Sequence, residues 1–228
     1  MLQQTQVERV LPFYVAFIKK FPTARALAAA PLSEVLKSWQ GLGYNRRANM
    51  LHKAAAEIAA RGMPRATHEL EKLPGIGPYT ARAIAAFAYN RDVILVETNI
   101  RTVILHHFFP KKGNVSDTEI ERILKRLLPT GGARDWYSAL MDYGAHLKRS
   151  GISHNTRSRH YTKQTKFTGS VREARGAILR ELAHGPATNR RLTGLFGPLR
   201  RAQVAHALDA LRAEGLVRAQ RSRYVLAD

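Results

Sequence analysis

There is no cysteine anywhere in the 228 residues. That excludes disulfides, a thiolate zinc site and a cysteine-ligated iron–sulfur cluster. No apolar run approaches the roughly 18 residues of a membrane span, and no lipidation signal is visible. The N-terminal stretch MLQQTQVERV lacks the apolar core of a secretion signal. Acidic residues are scarce: 17 Asp and Glu stand against 37 Lys and Arg, a formal net charge of +20. Such an excess points to a polyanionic partner, nucleic acid ahead of a membrane surface. What the chain does possess is 45% hydrophobic residues, enough for the core of one large domain or two modest ones. These totals describe a soluble, cytoplasmic protein that touches DNA or RNA, with no metal or cofactor expected and no membrane partner.

Residues 1–148 read as short helices broken by glycine and proline, and no sustained strand alternation occurs there. Between Gln6 and Lys20 the apolar residues Val7, Val10, Leu11, Tyr14, Phe17 and Ile18 fall at helical spacing. Ser33 is expected to cap a segment running to Trp39, which Gly41-Leu42-Gly43 ends. Ser116 and Glu119 have the spacing of a capping box for a helix to Leu128. The run Val93 to Val96 fits either a strand or a buried connector. Residues 149–169 hold Arg149, Arg157, Arg159, Lys163 and Lys166 without an acid, and read as a basic linker laid along a polyanion, or else a solvated tail. Residues 170–228 offer three helices followed by two short alternating strands around a basic turn, the order of a winged helix. Arg200 and Arg201, on the third helix, are the candidate DNA contacts of this module.

The stretch Leu73-Pro74-Gly75-Ile76-Gly77-Pro78-Tyr79-Thr80-Ala81 is the most informative. Two glycines one residue apart make a tight turn, with one able to take a left-handed conformation. Pro78 suits the first turn of a helix, and the amides before it form a site for an anion such as a phosphate. Gly75, Ile76, Gly77, Tyr79 and Thr80 are therefore candidate DNA-binding residues.

The same stretch resembles the helix-hairpin-helix of DNA glycosylases, whose turn grips a phosphate without reading sequence. With Met1-Leu2-Gln3-Gln4-Thr5-Gln6-Val7, Phe21-Pro22-Thr23, Trp39-Gln40-Gly41-Leu42-Gly43-Tyr44, Val96-Glu97-Thr98-Asn99 and Leu140-Met141-Asp142-Tyr143-Gly144-Ala145 in the same order, it resembles the adenine-specific mismatch glycosylases (the MutY family) of the endonuclease III superfamily. The resemblance implies a mainly α, helix-hairpin-helix glycosylase domain at 1–148, followed by the linker at 149–169 and the winged helix at 170–228. It also implies a monomeric repair enzyme that flips a base out of double-stranded DNA carrying a mismatched or damaged pair.

Residue roles follow from the resemblance. Gln4 and Tyr44 match the residues that fill or prop the gap in the base stack, and Gln3 and Arg46 are further candidate DNA contacts. Tyr79 stands where the bifunctional branch has a lysine nucleophile, which implies a glycosylase without lyase chemistry by that route. The same tyrosine also occurs in a branch that removes thymine from T:G mismatches. Glu97 takes the position of the family's catalytic aspartate, whose charge offsets the cation developing on the sugar; its plain alternative is a helix cap. Asn99 completes the catalytic set. Three departures stand out. The family's general-acid glutamate precedes the MLQQT stretch, so either an in-frame upstream segment supplies it or the protein has lost it. The cluster cysteines are replaced by Lys148, His154, Thr156 and other non-ligands, and His106, His107, His154 and His160 read as surface or DNA-facing. Residues 170–228 do not resemble the family's 8-oxoguanine-reading domain. Adenine opposite 8-oxoguanine or guanine is the expected substrate; a thymine or uracil mismatch glycosylase and an inactive DNA-binding protein are the alternatives.

Overall fold

The structure, a computed structural model, describes residues 1–3, 5–159, 161 and 166–228. Gln4 and Lys163, two of the expected DNA contacts, and His160 lie outside the described residues. In chain order the helices are α1 Val7–Lys20, α2 Ala24–Ala29, α3 Leu32–Ser38, α4 Arg46–Arg61, α5 Thr67–Leu70, α6 Pro78–Tyr89, α7 Thr98–Phe108, α8 Asp117–Leu127, α9 Ala133–Arg149 and α10 Val171–His184. There follow β1 Ala187–Thr188, α11 Asn189–Thr193, α12 Arg201–Ala213, β2 Val217–Gln220 and β3 Arg223–Leu226. The fold is mainly α, as expected.

Two compact units result. One joins residues 1–63 to 165–228; the other is 64–164. This division cuts across the one read from the sequence. The reason is a shared core: Leu32, Val35, Leu36, Trp39 and Ala55 of the N-terminal helices lie in one buried cluster with Ile178, Leu182, Leu208, Leu211 and Leu226. Polar contacts follow the same seam within this unit. Asn49, buried in α4, donates Nδ2 to Glu214 O at 3.1 Å, and Gln40 Nε2 reaches Leu179 O at 3.3 Å. Ser33 is inside α3 rather than capping it, because Pro31 holds the N-cap position; the Ser33 hydroxyl donates instead to Asp228 Oδ1 at 2.7 Å. Helix α1 buries only Val10 and Phe17, leaving Val7, Leu11, Tyr14, Val15 and Ile18 exposed.

The C-terminal part of this unit has three helices and a small antiparallel sheet in the order β1-β3-β2. The β2–β3 hairpin turns at Arg221, whose φ is +55°. Strand β1, two residues pairing Ala187 with Tyr224, is too short for alternation to reveal.

The second unit is built on α7 and α9 around Leu95, Ile100, Ile104, Ile120, Leu124 and Tyr137. Residues 93–96 are a connector, and Tyr137 explains why no strand forms. Its hydroxyl accepts from Leu95 N–H and donates to Val93 O, both at 2.9 Å, taking the backbone groups that a neighbouring strand would pair. The Ser116–Glu119 capping box is present. Residues 152–159 are not a free linker: Val115 and Ser158 form a parallel bridge, and Arg157 Nη1 donates to Pro110 O at 2.7 Å.

Candidate active site and nucleic-acid interface

All the expected catalytic residues fall in the second unit. Leu73 to Ile76 close a turn in which Ile76 N–H donates to Leu73 O at 3.1 Å. Pro74 and Gly75 hold its corners, and Gly75 takes φ +76°, the Pro–Gly pattern of a type II turn. Gly77 is the N-cap of α6 and Pro78 its first residue; no side chain caps this helix. That is the arrangement in which a helix N-terminus receives an anion. Tyr79, half-exposed, follows in the first turn.

Glu97 is the N-cap of α7. Its Oε1 accepts from the amides of Asn99 at 2.6 Å and Ile100 at 2.7 Å. Caps are usually shorter, Ser, Thr, Asp or Asn, and here one carboxylate oxygen takes both amides. The capping role and the catalytic candidacy therefore coexist: among the described residues Oε2 makes no hydrogen bond. Burial pushes the Glu97 carboxyl above its ordinary range, while the two amides and then the Lys148 and Arg101 charges pull the other way. The Tyr79 phenol is pushed above its usual value by burial and then by the Glu97 charge, which favours its neutral form.

Lys148, near the end of α9, was legible only as a replaced cluster ligand. Its Nζ donates to Asn99 Oδ1 at 2.6 Å. A lysine can only donate, so the Asn99 oxygen is committed and the amide NH₂ is left on the other side. Burial holds the ammonium below its ordinary value; the Glu97 charge pushes it back up, and Arg101 adds to the lowering. Helix α9 comes this close because residue 144 is glycine. A Cβ there would stand 2.3 Å from Asn99 O and 2.6 Å from its carbonyl carbon. Arg101 forks onto Asp117 at 3.0 and 2.9 Å, tying α7 to the first turn of α8. Glycine inside the quoted Leu140–Ala145 motif was the one sequence signal for this packing; nothing local marked Arg101 or Asp117.

The histidines are not simply facing outward. His106 Nδ1 and His154 Nε2 lie 3.1 Å apart with stacked rings, and His107 Nε2 meets Tyr143 Oη at 2.9 Å. Among the described residues no three potential ligands gather around a metal position.

The remaining interface candidates belong to the first unit. Gln3, Arg46, Lys166 and Arg201 are exposed. Tyr44 is half-buried with φ +48°, and Arg47 lies under it, its Cζ 5.6 Å from the Tyr44 ring centroid and 5.4 Å from that of Trp39. Arg200 is a different case from Arg201. Its Nη1 donates to Glu173 Oε2 at 2.7 Å, its Nε to Gln203 Oε1 at 2.8 Å, and its Cζ lies 4.1 Å from the Phe196 ring centroid. That guanidinium pins the start of α12 to the start of α10, and the DNA contact expected of it competes with these partners and with Ser170 O, which accepts from Nη2 at 3.4 Å.

Comparison with known proteins supplies the context for this geometry. The sequence profile of HhH-GPD superfamily base excision DNA repair proteins matches residues 1–131. An adenine DNA glycosylase of Mycolicibacterium smegmatis is 39% identical over 240 residues, covering 95% of this chain and 81% of the relative. That alignment extends into the C-terminal helices and strands. Adenine DNA glycosylases of Buchnera aphidicola and Mycobacterium tuberculosis are 36% and 40% identical over 64% of this chain. The chain spans 42% and 50% of the length of those two relatives. Among solved structures, a thermostable thymine-DNA glycosylase superposes with a TM-score of 0.55 at 26% identity, covering 63% of this chain and 69% of that one. A trapped endonuclease III–DNA covalent intermediate gives 0.52 at 25% identity, over 64% and 68%.

Proposed function

From the premise that the chain belongs to the HhH-GPD superfamily of base excision DNA repair proteins, we propose that it is a monofunctional DNA glycosylase, acting as a monomer and hydrolysing the N-glycosidic bond of adenine mispaired with 8-oxoguanine or guanine. The observation that carries this reading is the Glu97 carboxylate, held by one oxygen at the start of α7 with its other oxygen uncommitted among the described residues. As the C1′–N9 bond breaks, positive charge builds on the deoxyribose. A fixed carboxylate in a partly desolvated site stabilises that charge without having to reorganise. Water then adds to C1′ and gives up one proton, while the departing adenine takes up one proton, so that the C1′–N9 bond is exchanged for a C1′–O bond. Asn99, its oxygen committed to Lys148, offers its NH₂ group to the sugar or the water. The neutral Tyr79 phenol supplies a hydroxyl but no amine, so no imine forms at this position and the strand is left intact.

DNA is held by the hairpin at Gly75–Thr80 and by the surplus of positive charge, through phosphates. Tyr44 enters the base stack, with Arg46 two residues further on and Gln3, near the start of the chain, as further DNA contacts. Residues 170–228 act as a winged helix, with Arg201 and the β2–β3 turn as its DNA contacts.

Adenine is favoured over thymine because the relatives at 36–40% identity are named adenine DNA glycosylases. The thymine reading keeps one observation in its support, the structural likeness to a thymine-DNA glycosylase. The test is single-turnover base release from duplexes carrying A opposite 8-oxoguanine, A:G, T:G and U:G. It is run on this chain and on one extended to the nearest in-frame upstream start. Adenine release from the first two duplexes is the expected result. Thymine or uracil release alone would replace the substrate, and no release from either form with retained DNA binding would leave a binding protein.

A further inference from the structure

Tyr44 is separated from the C-terminal helices by well over a hundred residues, yet one of those helices holds it. The tyrosine follows Gly43 and adopts φ +48°, a region that side chains avoid. Something must keep it there. One such group is Arg47, whose guanidinium donates to Leu42 O and Gly43 O, each at 3.2 Å, and to Met1 O at 3.0 Å. Arg47 thereby fixes the loop before the tyrosine and the first residues of the chain. The other is Arg172, in the first turn of α10. Its Nη1 donates to Tyr44 Oη at 3.1 Å, and its Cζ lies 5.8 Å from the ring centroid.

Arg172 is itself placed by a well-defined helix start. Ser170 caps α10 by accepting from Glu173 N–H. The neighbouring acid, Glu173, is engaged elsewhere, accepting from Gly169 N–H at 2.8 Å and Arg200 Nη1 at 2.7 Å. Lys166, exposed, precedes this turn. The phenol thus has two guanidinium groups 5.6 and 5.8 Å from its ring centroid, contributed by distant parts of the sequence, and its hydroxyl is held by one of them. A ring that must slide between bases loses less freedom when it starts in one rotamer.

We propose that Arg172 is a positioning residue for Tyr44, so that the C-terminal unit takes part in opening the base stack of duplex DNA and is not only a separate anchor on it. This rests on the DNA glycosylase reading above. The partner is a DNA strand: the ring of Tyr44 stacks on a base while the Arg172 guanidinium stays with its hydroxyl.

The test uses the full chain and a duplex with 2-aminopurine replacing the adenine opposite 8-oxoguanine, whose fluorescence rises when the base unstacks. Wild type, Arg172→Met, Arg172→Lys, Tyr44→Phe and the Tyr44→Phe/Arg172→Met double variant are compared, alongside affinity for an undamaged duplex. Expected are a rise with the wild type, a loss of at least fivefold in its rate for Arg172→Met and for Tyr44→Phe, and a double variant no slower than either single one. Arg172→Lys recovers part of the rate. Affinity for the undamaged duplex stays within about twofold. Tyr44→Phe keeps the ring and the fold, so the result does not depend on Arg172→Met folding. Unchanged unstacking in both single variants, or losses that multiply in the double variant, overturns the proposal. So does an effect on affinity alone, which would make Arg172 an anchor. A wild type that neither unstacks the probe nor binds DNA in a salt-sensitive way is a separate result, and removes the glycosylase reading itself.

Discussion

Glu97 faces opposing influences: burial favours its neutral form, while the α7 amides, Lys148 and Arg101 favour the charged one. Burial wins, so the folded state keeps a proton to higher pH than the unfolded chain does. The sign for stability follows. Between the ordinary glutamate value and the raised one, the folded protein binds more protons than the unfolded, so stability falls as pH rises through that window. Glu97→Gln, which cannot ionise, is expected to flatten that part of the curve in urea midpoints measured from pH 4 upward. Excision has the opposite slope, because it needs the carboxylate, so its acidic limb follows the raised value. Lys148→Met removes a charge that pulls this value down. The limb is then expected to move to higher pH, with a rate loss that shrinks as pH increases; a uniform loss at all pH values would assign Lys148 a purely structural part. Tyr79, Glu97 and Asn99 could be singled out as candidates in the sequence because each belongs to a motif of immediate neighbours. Lys148 was not, since its partner is forty-nine residues away and its position suggested only a lost metal ligand.

Helices α7 and α9 meet at a point where there is room for a hydrogen atom only. Gly144→Ala would drive a methyl group against the Asn99 backbone, which cannot yield without moving the cap that holds Glu97. A destabilisation of about 1–3 kcal/mol is expected from such overpacking, together with slower excision. Gly176→Ala is the control. It lies in α10 with nothing within 4 Å of the added Cβ, and should stabilise by about 0.5–1 kcal/mol. Thermal melts of both variants check the pair. A second expectation concerns α3 and α10, which pack together in one core. Ending the chain at residue 164 would strip cover from Val35, Leu36 and Trp39, and the truncated chain is expected to aggregate or lose cooperative unfolding. A soluble, cooperatively folding 1–164 would show the C-terminal helices to be dispensable for that core. Periodicity gave most helices and the Ser116–Glu119 cap. It says that a face is buried but not what covers it, so the sharing of one core by residues 32–55 and 174–227 stayed out of reach.

At the scale of the whole molecule, composition was a sound guide to partner class and a poor guide to which arginines serve it. A net charge of +20 gives a field that gathers DNA non-specifically. Yet Arg200, Arg47, Arg157 and Arg101 spend their guanidinium groups inside their own units, on Glu173, on loop carbonyls, on Pro110 O and on Asp117. Charge counting cannot separate these from Arg201, because both kinds look alike in a sequence and differ only in what the fold brings within 3 Å. The specific claim rests instead on Glu97, and it is tested most directly by single-turnover adenine release from an A:8-oxoguanine duplex, wild type against Glu97→Gln, in both the given and the upstream-extended chain, with DNA affinity measured in parallel. Adenine release is expected to fall by about 10²–10³-fold in Glu97→Gln while affinity stays within about twofold. Equal rates in the two proteins would contradict it, and would return Glu97 to the role of a helix cap.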